Sequence, residues 1–194
     1  HVLVVTAVDQ AGNAASVSID LTLDGTAPVV TIAPDLQPNG FYPRQAHVLY
    51  LVDEANLLSV TATLDGQPFA NNGPIDSDGP HTLRVNAVDK AGNPGGLTRT
   101  FTIDGVAPVI TVVGVVDHGF YKAGRIVTFA QSDTNPDTLS ATLDGVPFAS
   151  GAALVGPDGP RTLVVSAVDK AGNPAAVTRH LTIDHARPAP FTNS

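Results

Sequence analysis

The sequence predicts an all-β fold made of tandem antiparallel sandwiches, and three observations lead to this expectation. Of the 18 acidic residues only Glu54 is a glutamate, and Asp favours turns whereas Glu favours helices. The 194 residues include 18 Gly and 16 Pro, which separate short apolar segments. Whole segments also recur at a spacing of 79 or 80 residues, which indicates a duplicated domain.

The clearest repeat is a heptad that reads AVDQAGN at 7–13 and AVDKAGN at 87–93 and 167–173. A second segment, ATLDGQPFA at 62–70, returns as ATLDGVPFA at 141–149. These registers predict one complete domain at 26–105 and another at 106–185.

The two ends of the chain lie outside these complete repeats. Residues 1–25 correspond to the last two strands of a further, incomplete repeat, and residues 186–194 to a tail or the start of the next linker. Two strands do not form an independent domain. We therefore expect the segment to belong to a longer parent chain.

Within a repeat the hydrophobic period is two, as in half-buried strands. Leu83, Val85 and Ala87 fall on one face of a predicted strand, and Arg84 and Asn86 fall on the other. The same alternation predicts inward side chains for Val48, Tyr50, Val52, Leu58, Val60, Ala62, Leu64, Leu97, Phe101 and Ile103. About seven such strands per repeat, joined by Asp-Gly and Pro turns, predict sandwiches of immunoglobulin or fibronectin type III style.

The heptad is expected to form the hairpin turn between the last two strands of each sandwich. Asp89 caps this turn, Lys90 occupies its exposed tip, and Gly92 supplies a positive φ. The turn alone explains Asn93 less well. The aromatic pair Phe41–Tyr42, repeated as Phe120–Tyr121, is interpreted as a core anchor rather than a sugar-stacking surface.

Charge and composition exclude several classes of function. The net charge is −8 and the 10 Lys and Arg residues are scattered, so no basic face for nucleic acid is expected. No apolar run is long enough to span a membrane. Catalytic motifs such as G-x-S-x-G and H-E-x-x-H do not occur, and no enzyme activity is predicted. The histidines show no metal-ligand spacing and are assigned to surface strand positions: His1, His47, His81, His118, His180 and His185.

The segment DGPHTLRVNAVDKAGN, followed by FTIDGVAPVITV, resembles the tandem bacterial immunoglobulin-like repeats of very large cell-surface adhesins and related extracellular proteins. In that family a strand ending in D-x-A-G-N is followed by a further strand and an Asp-x-x-x-Pro linker. The resemblance spans residues 1–185 and implies an extracellular, cell-surface location.

The resemblance also implies a non-enzymatic role as a stalk, spacer or filament. Its partners would be neighbouring repeats of the same chain, other copies in a fibre, or a surface glycan or receptor. A carbohydrate- or receptor-binding adhesin module is the alternative, and accessory domains of a larger surface enzyme are a further one.

Members of this family commonly bind calcium at junctions between domains, so the resemblance implies one such site per complete repeat. The linker, the loop after the second strand and the heptad supply only oxygen ligands, which suit calcium better than zinc. The implied ligands are Asp24, Asp53, Glu54, Asn56, Asp89 and Asn93 in the first site, and Asp104, Asp133, Asn135, Asp169 and Asn173 in the second. Ser132 replaces Asp53 in the second repeat. The alternative is that the heptad is only a turn and the loop acids form a solvated surface.

Overall fold

The computed structural model describes residues 1–33 and 36–186, so the predicted tail lies, apart from Ala186, outside the described residues. The described residues form 18 β-strands and no α-helix, which confirms the all-β prediction. Among them there is no helix of the length and apolarity that a membrane crossing requires.

The described residues group into two compact units. The first unit comprises residues 1–33, 36–38, 47–74 and 81–100, and the second comprises 39–46, 75–80 and 101–186. The domain boundaries read from the repeats stay predictions.

The chain begins with a two-stranded antiparallel hairpin. Strand β1 (Val2–Val8) pairs with β2 (Ala14–Asp20), so that Val2 lies opposite Asp20 and Val8 opposite Ala14. Every residue of both strands is exposed.

The next eight strands form a three-stranded sheet of order β3-β5-β8 and a five-stranded sheet of order β4-β10-β9-β6-β7. Strand β4 pairs with the end of β10 in parallel. The strands are β3 (Val29–Ala33), β4 (Gly40–Tyr42), β5 (Ala46–Asp53), β6 (Leu57–Leu64), β7 (Gln67–Pro68), β8 (Gly73–Ile75), β9 (Gly79–Asp89) and β10 (Pro94–Ile103).

The last eight strands repeat this topology strand for strand, with sheets of order β11-β13-β16 and β12-β18-β17-β14-β15. Again a short strand, β12, pairs in parallel with the last strand, β18. The strands are β11 (Val109–Val113), β12 (Gly119–Tyr121), β13 (Ile126–Ser132), β14 (Pro136–Leu143), β15 (Val146–Pro147), β16 (Ala152–Ala153), β17 (Gly159–Asp169) and β18 (Pro174–Ile183).

The hydrophobic core of this last set draws on both of its sheets, as a sandwich requires. Val127 and the partly buried Phe129 come from the three-stranded sheet, whereas Leu163, Leu181 and Ile183 come from the five-stranded sheet. Burying each such side chain contributes about 1.5–3 kcal/mol relative to leaving it exposed.

The predicted alternation holds along β9, where Leu83 and Val85 are 0% exposed and Ala87 is 1% exposed. The prediction was wrong for Leu58, which is 64% exposed. A β-bulge between Leu57 and Ser59 shifts the pairing of β6 with β9, and Leu58 is the extra residue. The same irregularity recurs in β14 between residues 136 and 138.

The aromatic pair is only partly a core anchor. Tyr121 packs against the core and its hydroxyl oxygen accepts a hydrogen bond from the Val116 N–H at 2.7 Å. Phe120 is 74% exposed, because successive side chains of a strand point to opposite faces. The prediction of a core role was therefore wrong for Phe120.

Candidate metal centres

The heptad forms a hairpin turn, and the first copy shows its hydrogen bonds in isolation. The Asp9 carboxylate accepts the backbone N–H groups of Ala11 and Asn13, each at 2.9 Å. The Asn13 side-chain amide donates to the second Asp9 oxygen at 2.8 Å. Gly12, with φ of 85°, closes the turn. This pairing explains the asparagine, which the turn type by itself did not.

The other two copies reproduce these bonds with the same geometry. The Asn93 N–H and side-chain amide donate to Asp89 at 2.8 and 2.7 Å. Asn173 donates to Asp169 at the same two distances. The two aspartates differ from Asp9 in their environment, because Asp89 is 0% and Asp169 is 2% exposed.

In the first unit three carboxylates converge on one point. Asp24 lies in the segment before β3, Glu54 follows β5, and Asp89 ends β9. One carboxylate oxygen from each lies within 4.8 Å of the other two. We call these three residues the first acidic cluster.

Asparagine side chains hold this cluster together. Asn56 donates its backbone N–H to Glu54 Oε1 at 2.7 Å and its side-chain amide to Asp24 Oδ2 at 2.9 Å. The Asn93 amide bridges Asp89 Oδ2 and the Asp24 backbone oxygen, at 2.7 and 2.9 Å. Burial raises the pKa of Asp89, but the hydrogen bonds from Asn93 and the turn backbone outweigh it and hold that pKa below its usual value.

The second unit builds the same arrangement from equivalent residues. Asp104, Asp133 and Asp169 form the second acidic cluster, again with one oxygen each within 4.8 Å of the others. Asn135 donates to Asp133 Oδ1 and Asp104 Oδ2, each at 2.7 Å. Asn173 donates to the Asp104 backbone oxygen at 2.8 Å. Asp133 thus takes the place of Glu54 without loss of the arrangement.

Ten of the eleven residues expected at metal sites therefore lie in or against the two clusters. Asp53 does not join them, because it ends β5 on its exposed side, paired with Val29. Its counterpart Ser132 ends β13 in the same way, paired with Val109. The substitution of Asp53 by Ser132 therefore leaves the charge of the two clusters equal.

Within the described part of the chain, none of the six clustered carboxylates has a cationic side chain within 4.0 Å. Some aspartates outside the clusters do have such partners: Asp144 pairs with Arg161 at 3.1 Å and Asp65 with His81 at 2.6 Å. Three mutually close carboxylates repel one another when no cation is near.

The donor set of each acidic cluster fits calcium. Calcium takes oxygen ligands at 2.3–2.6 Å, so two oxygens bound to one ion are at most about 5 Å apart. The carboxylate separations of up to 4.8 Å meet that limit. The side-chain amides face the carboxylates with their N–H groups, so an ion bound here would take its side-chain oxygen ligands from the carboxylates, which the asparagines position.

A third group, outside the acidic clusters, was missed by sequence reasoning. Asp117, His118 and His180 each place a ligand atom within 4.8 Å of the others. The histidines are 62 residues apart (180 − 118), so no short motif joins them. The sequence feature that could have indicated this group is a difference between the repeats: Asn39 and Thr100 of the first repeat align with His118 and His180.

Comparison with solved structures finds multidomain β-proteins at low identity. Fibronectin(III)-like modules of Clostridium thermocellum CbhA are 13% identical, with a TM-score of 0.48, over 85% of this chain and 99% of theirs. A tetra-tandem repeat from the extending region of a large adhesion protein is 20% identical, with a TM-score of 0.36, over 94% of this chain and 56% of its own.

A Ca²⁺-stabilised adhesin with which an Antarctic bacterium binds ice is 18% identical, with a TM-score of 0.36, over 94% of this chain and 55% of its own. The chain thus spans about half the length of the two adhesin structures. Among curated proteins no match was found. The family model described as "Bacterial Ig-like domain" matches residues 49–105, so this part of the chain is similar to that family.

Proposed function

We propose that this chain is a non-enzymatic structural segment of an extracellular bacterial surface protein, a stalk or spacer of consecutive Ig-like domains. In this proposal, calcium bound in the two acidic clusters stiffens the segments that lead into each set of strands. One observation carries it: the same three-carboxylate arrangement is assembled twice, at equivalent positions, with no cationic side chain within 4.0 Å among the described residues.

Each clustered carboxylate comes from a different part of its unit. Asp24 belongs to the segment that enters β3, whereas Glu54 and Asp89 belong to a loop and a hairpin turn. An ion bound to all three would fix the entering segment to both. Asp104, Asp133 and Asp169 would do the same for the segment that enters β11.

Calcium supplies positive charge at a point where three negative charges meet. It thereby removes their mutual repulsion, which acts in a partly desolvated place because Asp89, Asp104 and Asp169 are buried. Extracellular calcium modules bind with Kd on the order of 10⁻⁴–10⁻³ M. We therefore expect calcium to occupy both acidic clusters when the stalk is outside the cell. The segments that enter β3 and β11 should loosen when calcium is withdrawn.

A carbohydrate- or receptor-binding role is the second candidate, and the exposure of Phe120 favours it. Phe120 is 74% exposed, whereas Phe41 at the same position of the first repeat is half-buried. Exposed aromatic rings are common contact residues in binding sites. A glycan array with the intact chain and the Phe120→Ala variant tests this role, and selective binding lost in the variant would place it first.

The calcium proposal is tested on the chain with thermal melting and small-angle scattering, in calcium and in chelator. At a calcium concentration ten times Kd, each site should gain about 1.4 kcal/mol. This gain corresponds to a rise of roughly 5–10 °C in the melting temperature of a domain of this size. The maximum dimension should change on chelation, because the entering segments are released.

The matched variants are Asp104→Asn, which removes one charge from the second acidic cluster, and Asp9→Asn, which changes an exposed aspartate outside the clusters. We expect the first to lose part of the calcium response and the second to keep all of it. A melting temperature and a maximum dimension that are the same in calcium and chelator would refute the role of calcium.

A further inference from the structure

The last set of strands carries an exposed cluster that no part of the proposed stalk function uses. Asp117 and His118 directly precede β12, and His180 lies in β18. Because β12 pairs in parallel with β18, with Gly119 opposite Leu181, the pairing sets His118 beside His180. Their side chains are 80% and 58% exposed, and that of Asp117 is 45% exposed.

The three side chains are arranged around one point. Asp117 Oδ2 lies 3.4 Å from His118 Nε2, and Asp117 Oδ1 lies 3.4 Å from His180 Nδ1. The two imidazole rings are nearly parallel, with an interplanar angle of 14° and centroids 5.7 Å apart. All three ligand atoms fall within 4.8 Å of one another.

The first repeat shows that the fold does not need these imidazoles. At the corresponding position Asn39 adopts φ of 59°, and His118 adopts φ of 58°. The left-handed turn before the short strand therefore forms with either residue. Thr100 replaces His180 in the last strand and Pro38 replaces Asp117. The histidines are a property of one repeat rather than of the architecture.

We propose that Asp117, His118 and His180 form a binding site for a divalent transition-metal ion, with Zn²⁺ as the best fit. Zinc binds imidazole nitrogen and carboxylate oxygen at about 2.0–2.2 Å in a tetrahedron. Two ligands of such an ion are then about 3.4 Å apart, and the Asp117 carboxylate lies at that distance from a nitrogen of each histidine, through a different oxygen in each case. Two nitrogen ligands distinguish this site from the all-oxygen acidic clusters, because calcium is a hard cation that takes oxygen ligands.

The backbone pre-arranges the site. Asp117 Oδ1 accepts the His180 backbone N–H at 2.7 Å, and the His118 backbone N–H donates to the His180 carbonyl oxygen at 2.5 Å. Hydrogen bonds of this kind orient metal ligands in zinc sites.

Three protein ligands leave the fourth position of a tetrahedral ion open. A shallow cavity of about 230 Å³ adjoins the cluster and is lined by both histidines, Phe120 and Arg161 among others. Water or a small anionic ligand can reach the metal from solvent, since all three ligands are exposed. The site is thus suited to recruiting a further ligand at the surface of the stalk.

The test is a titration of the chain with Zn²⁺ and with Co²⁺, in excess calcium so that the acidic clusters are saturated. We expect one Co²⁺ per chain, with the intense visible absorption of a tetrahedral ion, displaced by Zn²⁺. His118→Asn and His180→Thr introduce the residues of the first repeat, and each should lower the affinity at least about tenfold. His47→Ala, a change of an exposed histidine outside the cluster, should leave the affinity unchanged.

The proposal is overturned if no ion binds, if both cluster variants bind as tightly as the wild type, or if His47→Ala abolishes binding. Metal-free melting curves of the variants should superimpose on that of the wild type, which separates ligand loss from misfolding. Histidine ¹⁵N chemical shifts give a second readout, because only His118 and His180 should respond to Zn²⁺. The histidine readout is independent of the calcium proposal, because an ion bound at an acidic cluster does not contact His118 or His180 and does not depend on either side chain.

Discussion

The first heptad turn and the third share a sequence but differ in what surrounds them. Asp9 and Asp169 make the same bonds to the asparagine four residues later, with distances that agree within 0.1 Å. Asp9 is exposed, whereas Asp169 is 2% exposed and faces two further carboxylates. The turn is therefore encoded locally, and the acidic cluster is a product of the tertiary fold.

This difference separates two roles of one motif. Asp and Asn in the heptad close the hairpin wherever it occurs, because their bonds span only four residues. The metal-binding potential arises only where a loop and an entering segment bring further acids to the same place. A heptad match alone thus predicts a turn, and only the complete set of three segments predicts a metal site.

The largest expected difference between the two hairpins concerns apolar burial. Leu163 is 0% exposed and Leu3, its equivalent, is 48% exposed. Leu163→Ala should lower the free energy of unfolding by about 2–5 kcal/mol, through lost burial and a cavity. Leu3→Ala should change it by no more than about 0.5 kcal/mol. Denaturant unfolding of both variants measures the contrast, and equal effects would show that the first hairpin is packed in solution.

A smaller difference is expected for the turn aspartates themselves, measured in chelator. Asp169→Ala leaves two part-buried donors of Asn173 without their acceptor, at a cost of about 1–3 kcal/mol. In Asp9→Ala water replaces the lost acceptor, so the loss should be smaller. Thermal unfolding measures the loss of stability in both variants. A larger loss for Asp9→Ala than for Asp169→Ala would contradict the distinction between an exposed and a buried turn.

The smallest expected effect is a difference between Asp9 and Asp89 in how calcium changes their pKa values. Hydrogen bonds from Asn13 hold the pKa of Asp9 below 3.8, and those from Asn93 do the same for Asp89. Because both folded-state pKa values are depressed, these bonds stabilise fully above pH 3.8 and are lost as the pH falls through the lowered values. Carboxyl ¹³C shifts recorded between pH 7 and 2 should show both midpoints below 3.8. Calcium should move the Asp89 midpoint further down and leave that of Asp9 in place.

Most of the fold could be predicted from the sequence, because period-two alternation and repeated turn residues are local signals. The exposure of Leu58 was not predicted, because the β-bulge that shifts the strand register there is not marked by a Gly or Pro in the sequence. The convergence of Asp24, Glu54 and Asp89 was expected from the family resemblance and the loop order. The position of Asp53 outside the cluster was not predicted, because it depends on which face of the sheet the last residue of β5 occupies.

The cluster of Asp117, His118 and His180 could not be predicted in the same way. It depends on the parallel pairing of a three-residue strand with the last strand of the sandwich. Short strands carry little periodicity, and ligands 62 residues apart leave no spacing motif (180 − 118). The departure of one repeat from the other at three aligned positions was the only trace of the site in the sequence.

The most direct test of the central claim is calorimetric titration of the chain with calcium, beside the Asp9→Asn, Asp89→Asn and Asp169→Asn variants. Asparagine retains an oxygen that can accept the backbone bonds of the turn but removes one charge. We predict two calcium ions for the wild type and for Asp9→Asn, and one ion at full affinity for each of the other two variants. If calcium does not bind, or if all three variants bind it alike, the heptad is a turn and nothing more.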